Sequence, residues 1–332
     1  MPPTPVSRQL SFRGTRQWAP IKRCAKPSGA RDERLAAAPF AEPAGPRRFR
    51  VITIANPKGG VGKTTLVANL AVYLRALRED LPLLVLGLDG QDGLDRTLAP
   101  EAEPTRPDLI DALRAGELAG AVRFGQFGIE YVPSPPSREG LTDALRDAGG
   151  LSQLLGSRAS DGIVLIDTGS ELGAPVRAAL AQSDLAILPV RDLESLTQAE
   201  KLLTLGFARE RAHFALCGLD LRVKFDAPDR PDVLALLLYE LRVRGLSHFA
   251  TWISRSPAVE ALGTTPDGRR RTVLHGAPGS IVHRQFQALA HEVLAQLGAL
   301  PPLPVSAPFE PAPAQRASGG LASWILARGK RA

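Results

Sequence analysis

The sequence predicts an α/β fold: a mostly parallel sheet with helices on both faces. Three observations carry this. Short apolar runs recur through the middle of the chain, stretches of helical periodicity separate them, and a glycine-rich segment joins the first run to the first helix. Strands that alternate with helices pair in parallel, and the connecting helices then cover the sheet.

Residues 50–55 form the first run, Arg-Val-Ile-Thr-Ile-Ala, rich in β-branched side chains that favour a strand. Further runs fall at 83–88, 128–132, 162–166, 185–190, 214–223 and 249–253. Helical periodicity is read at 64–78, 193–209, 231–244 and 281–297. Residues 1–48 are rich in Pro, Arg, Ala and Ser without a sustained apolar period, and read as a disordered basic N-terminal tail. Residues 49–299 are the folded domain. Residues 300–332 read as a Pro-rich linker and a short C-terminal segment.

The 332 residues suffice for one large α/β domain or two small ones, and 44% are hydrophobic. Aromatics are only 5%, so the core must be built of Leu, Val, Ala and Ile. Cys24 and Cys217 are too few and too far apart for a disulfide framework or a metal cluster, which points to a reducing cytoplasm. No run of 18 apolar residues predicts a spanning helix, and no apolar stretch follows the N-terminal basic residues as in a secretory signal. The net charge of +7 is uneven: residues 1–50 hold 11 Lys/Arg and three acids, a net +8, which leaves −1 for the rest. A basic tail predicts contact with an anionic polymer or surface; the alternative is a solvated tail without a partner.

The chemistry concentrates in Asn56-Pro-Lys-Gly-Gly-Val-Gly-Lys-Thr-Thr65, directly after a strand and directly before a helix. Gly59, Gly60, Val61 and Gly62 let the backbone wrap a phosphate and turn its N–H groups inward. The following helix offers free N–H groups and its positive dipole end, starting at Thr64 and Thr65. Lys63 is placed to reach the β- and γ-phosphates and Thr64 to ligate Mg²⁺, so the expected cofactors are ATP and Mg²⁺. The strict pattern G-x-x-x-x-G-K-[ST] wants glycine where this chain has Pro57.

With that departure, Lys58-Gly-Gly-Val-Gly-Lys-Thr-Thr65 resembles the deviant phosphate loop of the ParA/MinD family of P-loop ATPases, and most the partition ATPases within it. The resemblance implies that Lys58 reaches the ATP of a second subunit in a nucleotide-sandwich homodimer. A phosphate contact within the same subunit, or a solvated loop charge, are the alternatives for Lys58. Leu86-Gly-Leu-Asp-Gly-Gln91 resembles the family's Asp-x-Asp-Pro-Gln, which makes Asp89 the candidate for positioning the attacking water. The family's first Asp is Gly87 here, and this leaves the hydrolysis rate open. Residues 161–168, Asp-Gly-Ile-Val-Leu-Ile-Asp-Thr, resemble the Walker B strand, with Asp167 as the Mg²⁺ ligand, and 168–173 follow as the loop that senses the γ-phosphate. Softer resemblances at 183–190, 251–261 and 279–297 extend the similarity over roughly residues 50–298.

The resemblance implies a slow, partner-stimulated ATPase in a bacterial cytoplasm, associated with the nucleoid. Its dimer would bind DNA non-specifically and move plasmid, chromosome or other cargo with a ParB-like adaptor. Arg222, Lys224, Arg230, Arg255 and Arg269-Arg270-Arg271 lie in the half where the family carries DNA-binding residues. Two other readings stay open. One is a MinD-like membrane-associated ATPase, with Leu321-Ala-Ser-Trp-Ile-Leu-Ala-Arg-Gly-Lys-Arg331 as a short, weak membrane contact. The other is a P-loop metabolic ligase. A nitrogenase-type reductase needs cluster cysteines that Cys217 alone does not supply.

Overall fold

A computed structural model of the chain describes residues 47–90, 93–99, 107–135, 137–145, 149–225, 232–263 and 270–299. An eight-stranded sheet organises them, with strands β1 (Phe49–Ile54), β2 (Leu83–Leu88), β3 (Arg123–Phe124), β4 (Glu130–Val132), β5 (Gly162–Thr168), β6 (Leu185–Val190), β7 (Ala212–Leu219) and β8 (Ile253–Ser254). The order across the sheet is β3-β4-β2-β5-β1-β6-β7-β8, and only the β3–β4 pair is antiparallel. The central strands β1 and β5 pair over six residues, from Phe49↔Gly162 to Ile54↔Asp167. That register brings the end of β1, where the glycine-rich loop starts, beside Asp167.

Alternation along β1 sorts the two faces. Ile52 and Ile54 pack into the layer with α1 (Lys63–Leu77) and α11 (Ile281–Ala299), whereas Phe49 and Val51 pack into the opposite layer. That layer holds α3 (Leu109–Ala115), α4 (Arg138–Ala144), α5 (Gly150–Gly156) and α6 (Ala174–Gln182). Burying each Leu, Val or Ile contributes about 1.5–3 kcal/mol, and this dominates the fold's stability. The remaining helices are α2 (Asp95–Leu98), α7 (Leu193–Thr204), α8 (Val233–Val243), α9 (Pro257–Ala261) and α10 (Val273–Gly276). Among the described residues no helix is long and apolar enough to cross a membrane.

The expected elements recur with shifted ends. β2 and β6 match their predicted bounds. The strand expected over 214–223 runs instead over Ala212–Leu219. Asp220 ends it: its carboxylate accepts the Arg222 N–H at 3.1 Å and its carbonyl the Val223 N–H at 3.2 Å, closing a turn. The strand expected over 249–253 shrinks to Ile253–Ser254 because the Glu292 carboxylate takes the N–H groups of Ala250 (2.6 Å) and Thr251 (2.8 Å). The helix expected over 193–209 ends at Thr204, where Gly206 N–H and Phe207 N–H return to the Leu203 and Leu202 carbonyls.

At the amino edge of the sheet, Arg47 is buried and donates to the Gln182 carbonyl at 2.6 Å, with Asp184 at 3.3 Å, while Arg48 pairs with Asp161 at 2.7 Å. These two cations, counted with the tail in the sequence, are bound to the body. The chain therefore enters the domain one strand length, roughly 20 Å, from the glycine-rich loop. Residues 1–46 and 300–332 lie outside the described residues, including Cys24 and the C-terminal segment 321–331.

Asn69, on α1, links α1 to α10. Its Nδ2 donates to the Thr65 carbonyl at 2.8 Å and its Oδ1 accepts the buried Val273 N–H at 2.7 Å. Asn69→Ala strands that N–H without a partner, so it is expected to lower unfolding free energy by about 1–3 kcal/mol in denaturant titration. An unchanged midpoint and slope would show that the α1–α10 link is not needed.

Candidate nucleotide site

The loop between β1 and α1 is shaped by two glycines in left-handed conformation, Gly60 (φ 70°) and Gly62 (φ 90°). A Cβ at either would meet nothing within 4 Å, so the backbone path and not space demands glycine. Asn56 anchors the loop: its Nδ2 donates to the carbonyls of Pro189 (2.7 Å) and Ser195 (3.0 Å), and its Oδ1 accepts the Lys58 N–H at 2.8 Å.

Lys63 opens α1 and is buried at 7% exposure. Its ammonium donates to the carbonyls of Asn56 (3.0 Å) and Lys58 (3.2 Å), inside the loop's own concavity. Burial depresses its pKa, opposed by the nearby charges of Asp167 and Asp89. A buried cation held by carbonyls alone is matched to an anion.

Asp167 stands at the carboxyl end of β5, where ligands bind in open parallel sheets. Thr64 donates its hydroxyl to Asp167 Oδ2 at 2.6 Å. Asp167 Oδ1 is buried and accepts no hydrogen bond of full geometry. Burial pushes this carboxyl up to about 7, although the Thr64 hydroxyl pulls the other way. An under-satisfied carboxylate oxygen beside a threonine hydroxyl and an anion-binding loop fits a hard divalent cation such as Mg²⁺.

Asp89 follows β2 and lies beside this pair. Arg138, at the start of α4, donates from Nη2 to Asp89 Oδ1 at 2.6 Å and from Nε to the Asp89 carbonyl at 3.0 Å. The structure thus brings together Lys63, Thr64, Asp89 and Asp167, as the sequence predicts. Gln91 lies outside the described residues. Gly87, where the resembled family has an acid, faces Ser134: an added Cβ would stand 3.1 Å from Ser134 Oγ and 3.4 Å from Leu94 Cδ1. Asp95 fixes Ser134 through its N–H (2.8 Å) and hydroxyl (3.0 Å). A side chain at Gly87 must displace this arrangement.

Lys58 is partly exposed, and its ammonium is ion-paired. Its ammonium pairs with Asp192 at 3.0 Å and Glu194 at 2.7 Å, at the start of α7. The hydrogen bond it donates to Glu194 leads the factors that raise its pKa. The contact was not legible in the sequence, because its partners lie more than 130 residues away.

A cleft of about 460 Å³ continues from Gly60, Gly62 and Thr64 past Gly218 and Ser254 to Val259 and Arg270. Its size suits a nucleoside. Arg191, Arg255, Arg270 and Arg271 line it. Of the basic residues singled out in the sequence, Arg222 pairs with Asp220 (2.6 Å), Lys224 with Asp232 (3.1 Å) and Arg255 with Glu260 (2.8 Å); Arg230 and Arg269 lie outside the described residues.

Fold and site together define a P-loop nucleotide-binding protein. Residues 52–215 match the CobQ/CobB/MinD/ParA nucleotide binding domain, and this part of the chain is a domain of that family. Its similarity to the chromosome-partitioning ATPase Soj of Thermus thermophilus is 29% identity over 257 residues, covering 75% of this chain and 97% of Soj. It is 31% identical over 163 residues to the chromosome partitioning protein ParA of Caulobacter vibrioides, covering 45% of this chain and 60% of that one. The fold is shared with McdA of Cyanothece, solved in complex with ATP, at 18% identity and a TM-score of 0.59, covering 78% of this chain and 99% of McdA. It is also shared with MinD of Pyrococcus horikoshii, solved with Mg-ADP, at 24% identity and a TM-score of 0.55, covering 76% of this chain and 99% of MinD.

The Asp167 carboxyl gives a pH test. Its pKa is about 7 in the fold against 3.8 for the free group, so the folded chain holds this proton more tightly than the unfolded chain. Stability from this group is therefore present below about pH 4 and is lost as pH rises towards 7. Asp167→Asn, uncharged throughout, should raise the Tm of the nucleotide-free chain at pH 8 and change it much less at pH 5. Equal shifts at both values would contradict a carboxyl held up by burial.

Proposed function

We propose that the chain is a ParA-like ATPase that binds ATP with Mg²⁺ and hydrolyses it as a nucleotide-sandwich homodimer. In this reading it uses ATP-dependent, non-specific DNA binding to partition or position cargo, with a ParB-like adaptor as stimulating partner. The convergence of buried Lys63, the Thr64–Asp167 pair and Asp89 at one sheet edge carries the proposal, and the similarity to Soj and ParA supports the partition role.

Each residue has a role in this reading. The loop N–H groups and Lys63 hold the phosphates. Thr64 and Asp167 would hold Mg²⁺, which would supply charge neutralisation for the phosphates. Asp89 would position the attacking water. Lys58 leaves Asp192 and Glu194 and crosses to the partner's ATP when the dimer forms. That exchange is affordable because Lys58 gives up ion pairs at a partly exposed site, where such pairs contribute little, for a phosphate in a closed interface.

Two measurements test the proposal. Lys58→Ala should still bind ATP but lose ATP-dependent dimerisation in light scattering; a variant that dimerises and hydrolyses as the parent does rules out the sandwich. Deleting residues 1–46 removes eight Lys/Arg. If three or four of these engage DNA phosphates, the plot of log affinity against log salt should flatten by roughly 3 units, whatever the DNA sequence. ATP dependence should survive the deletion. An unchanged slope would show that the tail takes no part in DNA binding.

A further inference from the structure

Three segments meet at Asp89. The first is its own turn after β2. Gly90 there is left-handed (φ 64°), and an added Cβ would stand 2.9 Å from Arg138 Cα. The first turn of α4 is therefore pressed against the turn, and only glycine fits between them. The second segment is the loop after β5: a Cβ on Gly169 would stand 2.7 Å from Asp89 Oδ1. The third is α4 itself, which delivers Arg138.

Arg138 grips this junction with three donors. Nη2 holds the Asp89 carboxylate through Oδ1, Nε holds the Asp89 carbonyl, and Nη1 reaches Glu171 Oε1 at 3.0 Å. The Glu171 arm is 77% exposed and contributes little by itself. The Asp89 arm differs. A planar fork on both the carbonyl and the carboxylate of one residue fixes that side chain's torsion. It occupies Oδ1, and no hydrogen bond among the described residues reaches Oδ2.

The charges explain why such a grip is needed. Besides burial, Lys63 feels Asp167, Asp89 and Arg138, and Asp167 feels Asp89. Asp89 thus lies within electrostatic reach of a buried ammonium that attracts it and a buried carboxyl that repels it, and the Arg138 fork holds it against both pulls.

We infer that Arg138 is a positioning residue for hydrolysis: its fork on Asp89 orients the carboxylate for water. This rests on the ATPase reading above. Arg138 acts through Asp89 and not on the phosphates.

The test is single-turnover hydrolysis of γ-labelled ATP by the full-length chain, with nucleotide affinity and Tm measured on every variant. Arg138→Gln should slow hydrolysis by about 10- to 100-fold, the cost of a misplaced reacting group, while nucleotide affinity holds. Arg138→Lys keeps the charge without the fork and should fall between Gln and the parent. The double variant Asp89→Ala with Arg138→Gln should be no slower than Asp89→Ala alone, because the two act as one unit. A parent rate in Arg138→Gln overturns the inference. So does a double variant slowed by the product of the single effects, which would place Arg138 on the phosphate itself. Loss of nucleotide binding or of folding in both Arg138 variants would show a structural role and also overturn it. A parent chain that binds ATP but never hydrolyses it overturns the ATPase reading, and the inference with it.

Discussion

A lysine ammonium buried against two carbonyls of its own loop, beside a carboxyl that burial has pushed up to about 7, sets the constraint on which the rest of the molecule depends. Both groups are costly to remove from water, and neither has a full set of partners. The cost is borne because β1 and β5 pair in a register that ends at Ile54↔Asp167, so the loop leaving β1 and the carboxylate ending β5 emerge together. The two hydrophobic layers hold that register. Shifting either strand by one residue would turn its side chains to the wrong layer and separate the loop from the acid.

The phosphate loop was legible in the sequence because its chemistry is local: glycines, one lysine and a helix start are contiguous. Asp167 was legible by position, as the acid ending an apolar strand. Strands β2 and β6 were legible because uninterrupted apolar runs have clear ends. The tertiary contacts were not. Arg138 reaches Asp89 across 49 residues, and nothing in the short helix that carries it distinguishes it from other surface arginines. Lys58 finds Asp192 and Glu194 only because β6 lies beside β1. The ends of β7 and β8 were misjudged for the same reason: the carboxylates of Asp220 and Glu292 claim backbone N–H groups that the apolar pattern assigned to strands.

Gly87 shows how a departure from the family pattern is absorbed. The space beside it is taken by Ser134, and Asp95 holds Ser134 in place. The acids the structure gathers at this edge are therefore Asp167 and Asp89, and Arg138 is hydrogen-bonded to the second of them. Lys58, Asp89 and the loop after β5 are each tethered to another segment, so nucleotide binding must act on ion pairs already made. A site wired in this way can change state by exchanging partners of similar strength, without melting any element of the sheet.

The central claim is that this edge of the sheet is a site for a triphosphate together with a divalent cation. Calorimetric titration of the nucleotide-free parent chain with ATP, with and without Mg²⁺, tests it most directly. The account predicts one site per chain, and an affinity that falls when Mg²⁺ is removed. Binding indifferent to Mg²⁺, or no binding of ATP, would contradict it.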